Sequence, residues 1–269
     1  MTASTLRNSL QAIGLACVVL VGPSFAAAQA SNTIFACVQN STGQTRIVAA
    51  GDLDGRRTLD VGCGTGTFAA ALAERGGKVW GVDASTEMLA QARAKGSRAR
   101  FKEGNAEALP FKDGWFERVV MRLSLQHVDR PRALAEAARV LVPGGRIVIA
   151  SFDPKHFSSH WLSGLFPSLV EIDEARFPDA DTLEVELRAA EFVKPTFERL
   201  PQPGRVSRSE ALERIRGRYI TTLRLIDDAE FTRGLAAAEA QVPERLEYRL
   251  EWLLATAERP SLDAVRTPG

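Results

Sequence analysis

Three glycines at alternate positions follow an apolar segment and an acidic residue in the run LDVGCGTG, residues 59–66. Glycines at this spacing let the backbone turn tightly and approach a ligand with no Cβ in the way. The Ala/Leu-rich stretch Thr67 to Arg75 then predicts a helix, whose free N-terminal N–H groups face the turn. The pattern indicates a nucleotide-type ligand at the end of the first strand of a doubly wound sheet.

A second predicted strand, KVWGVD over residues 78–83, ends in a carboxylate. Asp83 follows the middle glycine, Gly64, by 83 − 64 = 19 residues, close to the roughly 20 expected for an acid that binds ribose. A carboxylate there can accept charge-assisted hydrogen bonds from both ribose hydroxyls. Because the next residues also resemble a helix start, Asp83 is alternatively a helix N-cap, and one residue can serve both purposes.

The dinucleotide fingerprint G-x-G-x-x-G would require glycine at position 67, where this chain has Thr67. The G-x-G-x-G run with Asp60 two residues ahead of it resembles the class I S-adenosylmethionine (SAM)-dependent methyltransferases. The segment FKEGNAEALPF, residues 101–111, is similar to the end of the third strand in that family. There an Asp or Asn side chain and the next backbone N–H read the adenine edge, and Asn105 and Ala106 occupy these places. Asn105 in an ordinary turn is the alternative.

The resemblance continues through a turn into a fourth strand, DGWFERVVM at 113–121, and a Pro-Gly-Gly turn into a fifth strand at 142–150. A helix is predicted over Pro131 to Leu141. The resemblance covers residues 59–150. The core motifs of the predicted domain, counted from the start of the first strand, lie within residues 57–150. It implies an α/β, Rossmann-like, doubly wound seven-stranded sheet, mostly parallel with an antiparallel edge strand, and SAM as cofactor. The residues implied in cofactor binding are Asp60, Gly62, Cys63, Gly64, Gly66, Asp83, Ala84, Met88, Asn105 and Ala106.

In methyl transfer the cofactor carries the difficult chemistry, so the protein mainly aligns the acceptor and excludes water. A general base is needed only when the acceptor must lose a proton. His127, at the end of the fourth strand, is the nearest candidate by position, and His156, His160 and Tyr219 are the others. Each of these four is alternatively a packing or surface residue. Cys63 is expected to pack beneath the ligand, and no Cys/His spacing predicts a metal site.

The resemblance favours a small-molecule acceptor with an O, N or C nucleophile. No Asn-Pro-Pro-Tyr motif follows the fourth strand, which counts against amino-purine or amide N-methylation. The net charge of +1 does not favour a nucleic-acid partner. A non-catalytic SAM-binding or methyltransferase-like protein is the first alternative, and an NAD-dependent oxidoreductase, disfavoured by Thr67, is the second. The sequence leaves the oligomeric state open.

The remainder of the chain carries weaker signals for the late strands and helices. A capped helix is predicted over Asp179 to Ala190, a sixth strand over Thr196 to Leu200 and a seventh over Tyr248 to Thr256. A helical insertion over about 203–243 separates these two strands. It is either a lid over the substrate or a pair of surface helices that only covers the sheet. Its predicted helices are Ser209 to Leu225 and Asp228 to Gln241.

The N-terminal region does not fit the family pattern. Residues 1–30 resemble a secretory signal peptide, with Arg7, a short apolar run and Ala-x-Ala sites, and the run is too short to span a membrane. Residues 31–50 predict a β-hairpin-like extension around positions 40–43. A turn-rich joint at 51–55 opens the methyltransferase domain, 51–260, and 261–269 is a tail.

Two explanations of this N-terminus compete. Either an exported leader is fused to a methyltransferase core, which is the favoured one, or a leader-like stretch is not cleaved. Because SAM is a cytosolic metabolite, the core is expected in the cytoplasm, with export as the alternative. The helical segment with which the family covers its cofactor is not evident in residues 1–50.

Overall fold

The computed structural model describes residues 37–39, 45–47, 53 and 55–261. Two short strands, β1 (Cys37–Gln39) and β2 (Thr45–Ile47), pair antiparallel and form a sheet of their own within the region of the predicted hairpin. The predicted hairpin turn at 40–43, the signal-like leader at 1–30 and most of the tail lie outside the described residues. Among the described residues, no helix has the length and apolar content needed to cross a membrane.

A seven-stranded sheet forms the centre of the molecule, with the spatial order β5-β4-β3-β6-β7-β9-β8. Strand β9 is antiparallel to both neighbours and lies one place inside the edge strand β8, while the pairs among β3 to β7 are parallel. The predicted Rossmann-like fold is therefore confirmed. Its strands are β3 (Arg57–Val61), β4 (Lys78–Asp83), β5 (Arg100–Glu103), β6 (Phe116–Arg122), β7 (Leu141–Phe152), β8 (Val193–Ser207) and β9 (Arg245–Glu258).

Helices cover both faces of the sheet, as the predicted doubly wound fold requires. The helices on the sheet faces are α1 (Thr67–Glu74), α2 (Thr86–Ala94), α3 (Arg130–Val140) and α5 (Ala180–Ala189), whereas α4 (Ser168–Arg176), α6 (Arg208–Arg216) and α7 (Asp228–Gln241) pack around a separate core. The central strand β6 is apolar on both faces, because Val119 packs with the α3 and α5 side and Val120 with the α1 side. The strand order reverses between β3 and β6, the position at which open α/β sheets bind ligands beyond their carboxyl ends.

The predicted joint at 51–55 is wrong in one respect, because Leu53 belongs to the core. Its side chain is fully buried in the cluster that α1 forms with the sheet. The backbone around it is a turn, since Arg56 N–H donates to Leu53 O at 3.0 Å and Gly55 N–H to Gly76 O at 3.0 Å. The predicted turn is present, but the buried side chain of Leu53 fixes this turn to the core of the domain.

A second, smaller apolar core lies under the helices that we call the helical cover, residues 154–177 and 208–243. Its members come from both segments, with Phe166 and Leu169 packed beside Ile215 and Ala238. Helix α7 has the predicted bounds, whereas α4 was not predicted. The single helix predicted over Ser209 to Leu225 is wrong, because α6 ends at Arg216 and a 3₁₀ turn, Thr221–Arg224, follows.

Strand β8 is also longer than predicted and occupies the start of the predicted insertion. It stays paired with β9 as far as Ser207, opposite Arg245. The two long strands therefore carry the sheet out to the helical cover, and the inserted helices begin only at Arg208.

Candidate active site

The glycine turn after β3 has positive φ at all three glycines, +74° at Gly62, +52° at Gly64 and +71° at Gly66. A Cβ on Gly62 would lie 2.5 Å from the Ser124 Cβ, and one on Gly66 would lie 2.6 Å from the Phe101 ring. A Cβ on Gly64 would meet no atom within 4 Å. Two of the glycines thus permit close packing, and the third leaves open space in front of the turn.

Asp83 connects the glycine turn to the start of α2. Its Oδ2 accepts a hydrogen bond from Gly64 N–H at 2.7 Å, and its Oδ1 accepts one from Ser85 N–H at 2.9 Å. The N-cap of α2 is Ser85, whose Oγ accepts from Met88 N–H at 3.2 Å, so the capping alternative for Asp83 is wrong. Each carboxylate oxygen of the half-buried Asp83 has a further lone pair available to a ligand hydroxyl.

Asp60 lies beneath the turn and is 2% exposed. Burial raises the pKa of its carboxyl to about 7, while Arg122 acts in the opposite direction and Asp83 adds a smaller increase. Its Oδ2 has no hydrogen-bond partner among the described residues. A buried carboxylate oxygen without a partner is costly, so this atom is suited to a donor supplied by a ligand or an ordered water.

The residues implied at the adenine side lie on the loop after β5 and on the first turn of α2. Asn105 Oδ1 accepts from Glu107 N–H at 2.9 Å, so this side chain does organise its own turn. Ala106 follows it and is half-buried, and Ala84 is exposed. Met88 is 41% exposed, which leaves an apolar side chain uncovered at the edge of the turn.

Cys63 packs inside the glycine turn. Its thiol is buried, and a Cβ on Gly81 would lie 2.8 Å from its Sγ. Burial, followed by the nearby Asp60 and Asp83, raises the pKa of the Cys63 thiol. A protonated, enclosed thiol is consistent with the packing role expected from the sequence.

A lysine that the sequence analysis missed holds the outer side of the turn. Lys95 Nζ donates to Thr67 Oγ1 at 2.5 Å and to Thr65 Oγ1 at 3.1 Å. Partial burial lowers the pKa of the Lys95 ammonium. The sequence offers no signal for this contact, because Lys95 lies about 30 residues from the threonines and follows the end of α2.

A cavity of about 820 Å³ opens at the carboxyl ends of β6 and β7, beside β9 and beneath the helical cover. All four base candidates, His127, His156, His160 and Tyr219, lie on its wall. Because Tyr219 and its neighbours in the cover line the cavity, the lid alternative is favoured over a pair of surface helices. The cavity wall also includes Leu123, Gln126, Phe152, Phe157, Asp173, Arg176, Phe177, Gln202, Glu210, Arg214, Thr222 and Trp252.

His127 follows β6 and lies between polar neighbours. Its Nδ1 is 3.3 Å from an Arg176 guanidinium nitrogen, and its Nε2 is 3.2 Å from Gln126 Nε2. Partial burial and the Arg176 charge lower the pKa of the imidazole, while Asp83 opposes them. A histidine whose pKa lies below 6.5 is neutral at pH 7 and able to accept a proton.

His156 and His160 lie together, with ring centroids 5.2 Å apart. His156 is 3% exposed, and its Nε2 has no partner among the described residues. Burial and the neighbouring His156 lower the pKa of His160 to about 3. Both rings are therefore uncharged parts of the cavity wall at neutral pH.

Known proteins match both the sequence and the fold. A model of the family described as "Methyltransferase domain" matches residues 59–149. A demethylmenaquinone methyltransferase of Clavibacter sepedonicus is 37% identical over 171 residues, which are 55% of this chain and 69% of that protein. One of Renibacterium salmoninarum is 40% identical over 124 residues, 44% of this chain and 52% of that protein.

The crystal structure of the YcgJ protein from Bacillus subtilis superposes with a TM-score of 0.56 at 22% identity. The match covers 78% of this chain and 93% of that one, and at such low identity it supports the fold alone. The chain spans about half the length of several of the curated relatives that it matches. Because the alignment with the Clavibacter sepedonicus protein covers more than two thirds of that relative, the chain belongs to the class I SAM-dependent methyltransferases.

Proposed function

We propose that this protein binds SAM at the glycine turn and transfers its methyl group to an O, N or C atom of a small molecule held in the cavity. The main support for this proposal is the close packing of Gly62, in the glycine turn, against Ser124. The Cβ position of Gly62 lies 2.5 Å from Ser124, and Leu123 and Gln126, on either side of Ser124, line the cavity. The cofactor turn and the acceptor cavity therefore share one wall, as an in-line transfer between two bound molecules requires.

The residues at the turn fit this cofactor. The open space in front of Gly64 leaves room for the ligand to approach the backbone. Asp83, already oriented by two backbone N–H groups, would accept hydrogen bonds from the ribose hydroxyls. The unpartnered oxygen of Asp60 would accept a donor from the ligand's amino acid end, directly or through water.

Ala84, Met88, Asn105 and Ala106 complete the proposed cofactor site. Met88 would cover one face of the adenine with its exposed side chain. Asn105 Oδ1 already accepts one hydrogen bond, and its second lone pair would accept from the adenine amine. The Ala106 N–H would complete the recognition of the adenine edge. Ala84, which is exposed beside Asp83, leaves the ribose side open.

SAM, when bound, supplies a methyl group on a positively charged sulfur. The protein's part is to align the acceptor, exclude water with the helical cover and accept a proton where the acceptor has one to lose. His127 is the residue that we assign to this last task. It lies on the cavity wall one 3₁₀ turn after β6, and its lowered pKa keeps it neutral.

Isothermal titration of the full chain with SAM, S-adenosylhomocysteine and NAD tests the proposal. We expect both sulfur compounds to bind and NAD not to bind. Tight NAD binding without SAM binding would overturn it. SAM binding with no methyl transfer to any member of a broad panel of phenols, amines and carboxylic acids would favour the non-catalytic alternative.

A further inference from the structure

The cavity has one wall built from aromatic rings. Phe152 at the end of β7 and Trp252 on β9 are directly paired across the two strands, with ring centroids 4.5 Å apart. Phe177 lies 6.1 Å from Phe152, and Phe157 lies 5.0 Å from Phe177. We call these four residues, Phe152, Phe157, Phe177 and Trp252, the aromatic wall.

The sheet and one hydrogen bond fix the aromatic wall in place. The Trp252 indole Nε1 donates to Gln202 Oε1 at 2.7 Å, and both residues are buried. Since the polar edge of the indole is satisfied inside the protein, its ring is left for apolar and π contacts. Rings held in this way offer fixed aromatic surface to a planar ligand at low entropic cost, with Phe152 tilted by 42° to Trp252.

Arg176 lies on the wall of the same cavity at the end of α4 and makes only long contacts. Its guanidinium nitrogens are 3.4 Å from Asp173 Oδ1, 3.5 Å from Thr222 Oγ1 and 3.3 Å from His127 Nδ1. Charge-assisted hydrogen bonds to carboxylates are typically about 2.7–2.9 Å. The side chain is only 19% exposed, and its ion pair with Asp173 is long, at 3.4 Å, so the guanidinium lies in a partly enclosed space with capacity for a closer anionic partner.

The two acids on the cavity wall, Asp173 and Glu210, each have a close hydrogen-bond partner other than Arg176. Asp173 Oδ1 accepts a hydrogen bond from the Thr222 hydroxyl at 2.6 Å, and burial raises the pKa of the Asp173 carboxyl, while the Thr222 hydrogen bond and the Arg176 charge lower it. Glu210 is paired with Arg214 one helical turn away. An anionic group on a ligand would therefore compete for Arg176 with one long contact, the 3.4 Å ion pair to Asp173.

We propose that the methyl acceptor is a planar aromatic compound carrying an acidic group, with its ring on the aromatic wall and its anion on Arg176. The volume of about 820 Å³ admits a ligand of two rings, within the usual range of about 300–1,000 Å³ for small-molecule sites. This assignment of a substrate class rests on the proposed function, which places the acceptor in the cavity.

Binding of three matched probes to the full chain, measured by titration in the presence of S-adenosylhomocysteine, tests the inference. The probes are biphenyl-4-carboxylate, biphenyl-4-carboxamide, which lacks the charge, and 4-cyclohexylcyclohexanecarboxylate, which lacks the flat rings. We expect the aromatic acid to bind at least fivefold more tightly than either of the others. A smaller preference over either probe, or no binding of the aromatic acid, overturns the proposal.

Two substitutions and one control test which residues cause the preference for a charged probe and the preference for an aromatic probe. Arg176→Gln should reduce the preference for acid over amide to less than fivefold, and Trp252→Leu should weaken binding of the aromatic acid at least fivefold. Arg188→Gln removes a comparable guanidinium that pairs with Glu184 on the exposed face of α5, and it should change neither. Retention of both preferences in the two cavity variants contradicts the assignment.

If Arg176→Gln does not fold, the salt dependence of probe binding to the unaltered protein tests the proposed ion pair instead. Raising NaCl from 50 to 500 mM should weaken binding of the acid and leave the amide unchanged, because salt screens the ion pair. An equal effect on both probes overturns the proposal.

A separate SAM titration distinguishes failure of the substrate class from failure of the proposed function. SAM binding without probe discrimination removes only the substrate class, whereas discrimination without SAM binding removes the proposed function and leaves a site for aromatic acids that is not a methyl-acceptor site.

Discussion

The Asp83 carboxylate accepts a hydrogen bond from the Gly64 N–H at 2.7 Å, so the proposed ribose ligand also fixes the glycine turn. The second oxygen accepts from Ser85 N–H and fixes the start of α2. One side chain thus organises two of the elements that surround the proposed cofactor. Its removal must be interpreted with both effects in mind.

Asp83→Asn separates these two effects better than Asp83→Ala does. An asparagine retains one carbonyl oxygen for a backbone N–H, but it loses the charge that strengthens hydrogen bonds to ribose. Each charge-assisted bond contributes about 1.5–3 kcal/mol, so we expect SAM affinity to fall roughly 10- to 150-fold. Asp83→Ala should weaken it further.

Titration calorimetry measures the affinities of these two variants. Asp181→Asn, an exposed acid in the first turn of α5, serves as the control and should bind SAM normally. Unchanged affinity in both Asp83 variants would mean that Asp83 only holds the turn together.

Two of the three glycines, Gly62 and Gly64, should respond differently to substitution. Gly64→Val places a branched side chain in the open space in front of the turn and should abolish SAM binding. Gly62→Ala should instead lower the melting temperature, because its new methyl group meets Ser124 at 2.5 Å. In our interpretation one glycine serves the ligand and the other serves the fold.

Gly114→Val is the matched control for Gly64→Val. Gly114 has a similar φ of +59° and open space around it, so the variant carries the same backbone strain away from the proposed site. Both valine variants should lose similar stability in thermal melts, while only Gly64→Val loses SAM. Equal SAM binding by the two variants would contradict the proposal that the cofactor lies against the Gly64 backbone.

His160 should make the folded protein sensitive to acid. Its pKa is about 3 in the fold against 6.5 ordinarily, so between these values the unfolded chain binds a proton that the folded chain does not. Stability must therefore fall as the pH drops below 6.5. At pH 5 we expect a loss on the order of 1–2 kcal/mol from this residue.

Thermal melts of the unaltered protein and of His160→Asn at pH 7.5 and pH 5 measure this loss. The asparagine oxygen can replace the imidazole Nδ1 that accepts from Leu162 N–H. The variant should lose roughly 2–8 °C less than the unaltered protein on acidification. Identical pH dependence in the two proteins would show that His160 does not stay neutral in the fold.

Most of the core could be predicted because local signals and the fold agree there. Glycine turns, buried apolar strands and capped helices each leave a pattern in the sequence. Strand β4, at residues 78–83, was predicted with the bounds that the structure gives it.

The helical cover was harder to predict because it is held by contacts distant in sequence. Glu230 on α7, for example, accepts from Ser168 N–H at the start of α4, 62 residues away. The cavity wall could not be predicted for the same reason. Its aromatic pair, Phe152 and Trp252, meets only through the register of β7 and β9.

The last prediction concerns residues 1–51, which we propose contribute nothing to the methyltransferase domain. All seven strands of the central sheet and the described helices come from residues 57–258, whereas β1 and β2 pair only with each other. A chain that starts at Asp52 should therefore keep the SAM affinity of the full chain and melt within about 5 °C of it. Leu53 sets the limit of this truncation, because its side chain is fully buried. Leu53→Ala in the shortened chain should cost about 2–5 kcal/mol and lower the melting temperature by roughly 5–15 °C. A larger fall on removing residues 1–51 alone would show that this region packs on the core, and the interpretation as a fused leader would then be wrong.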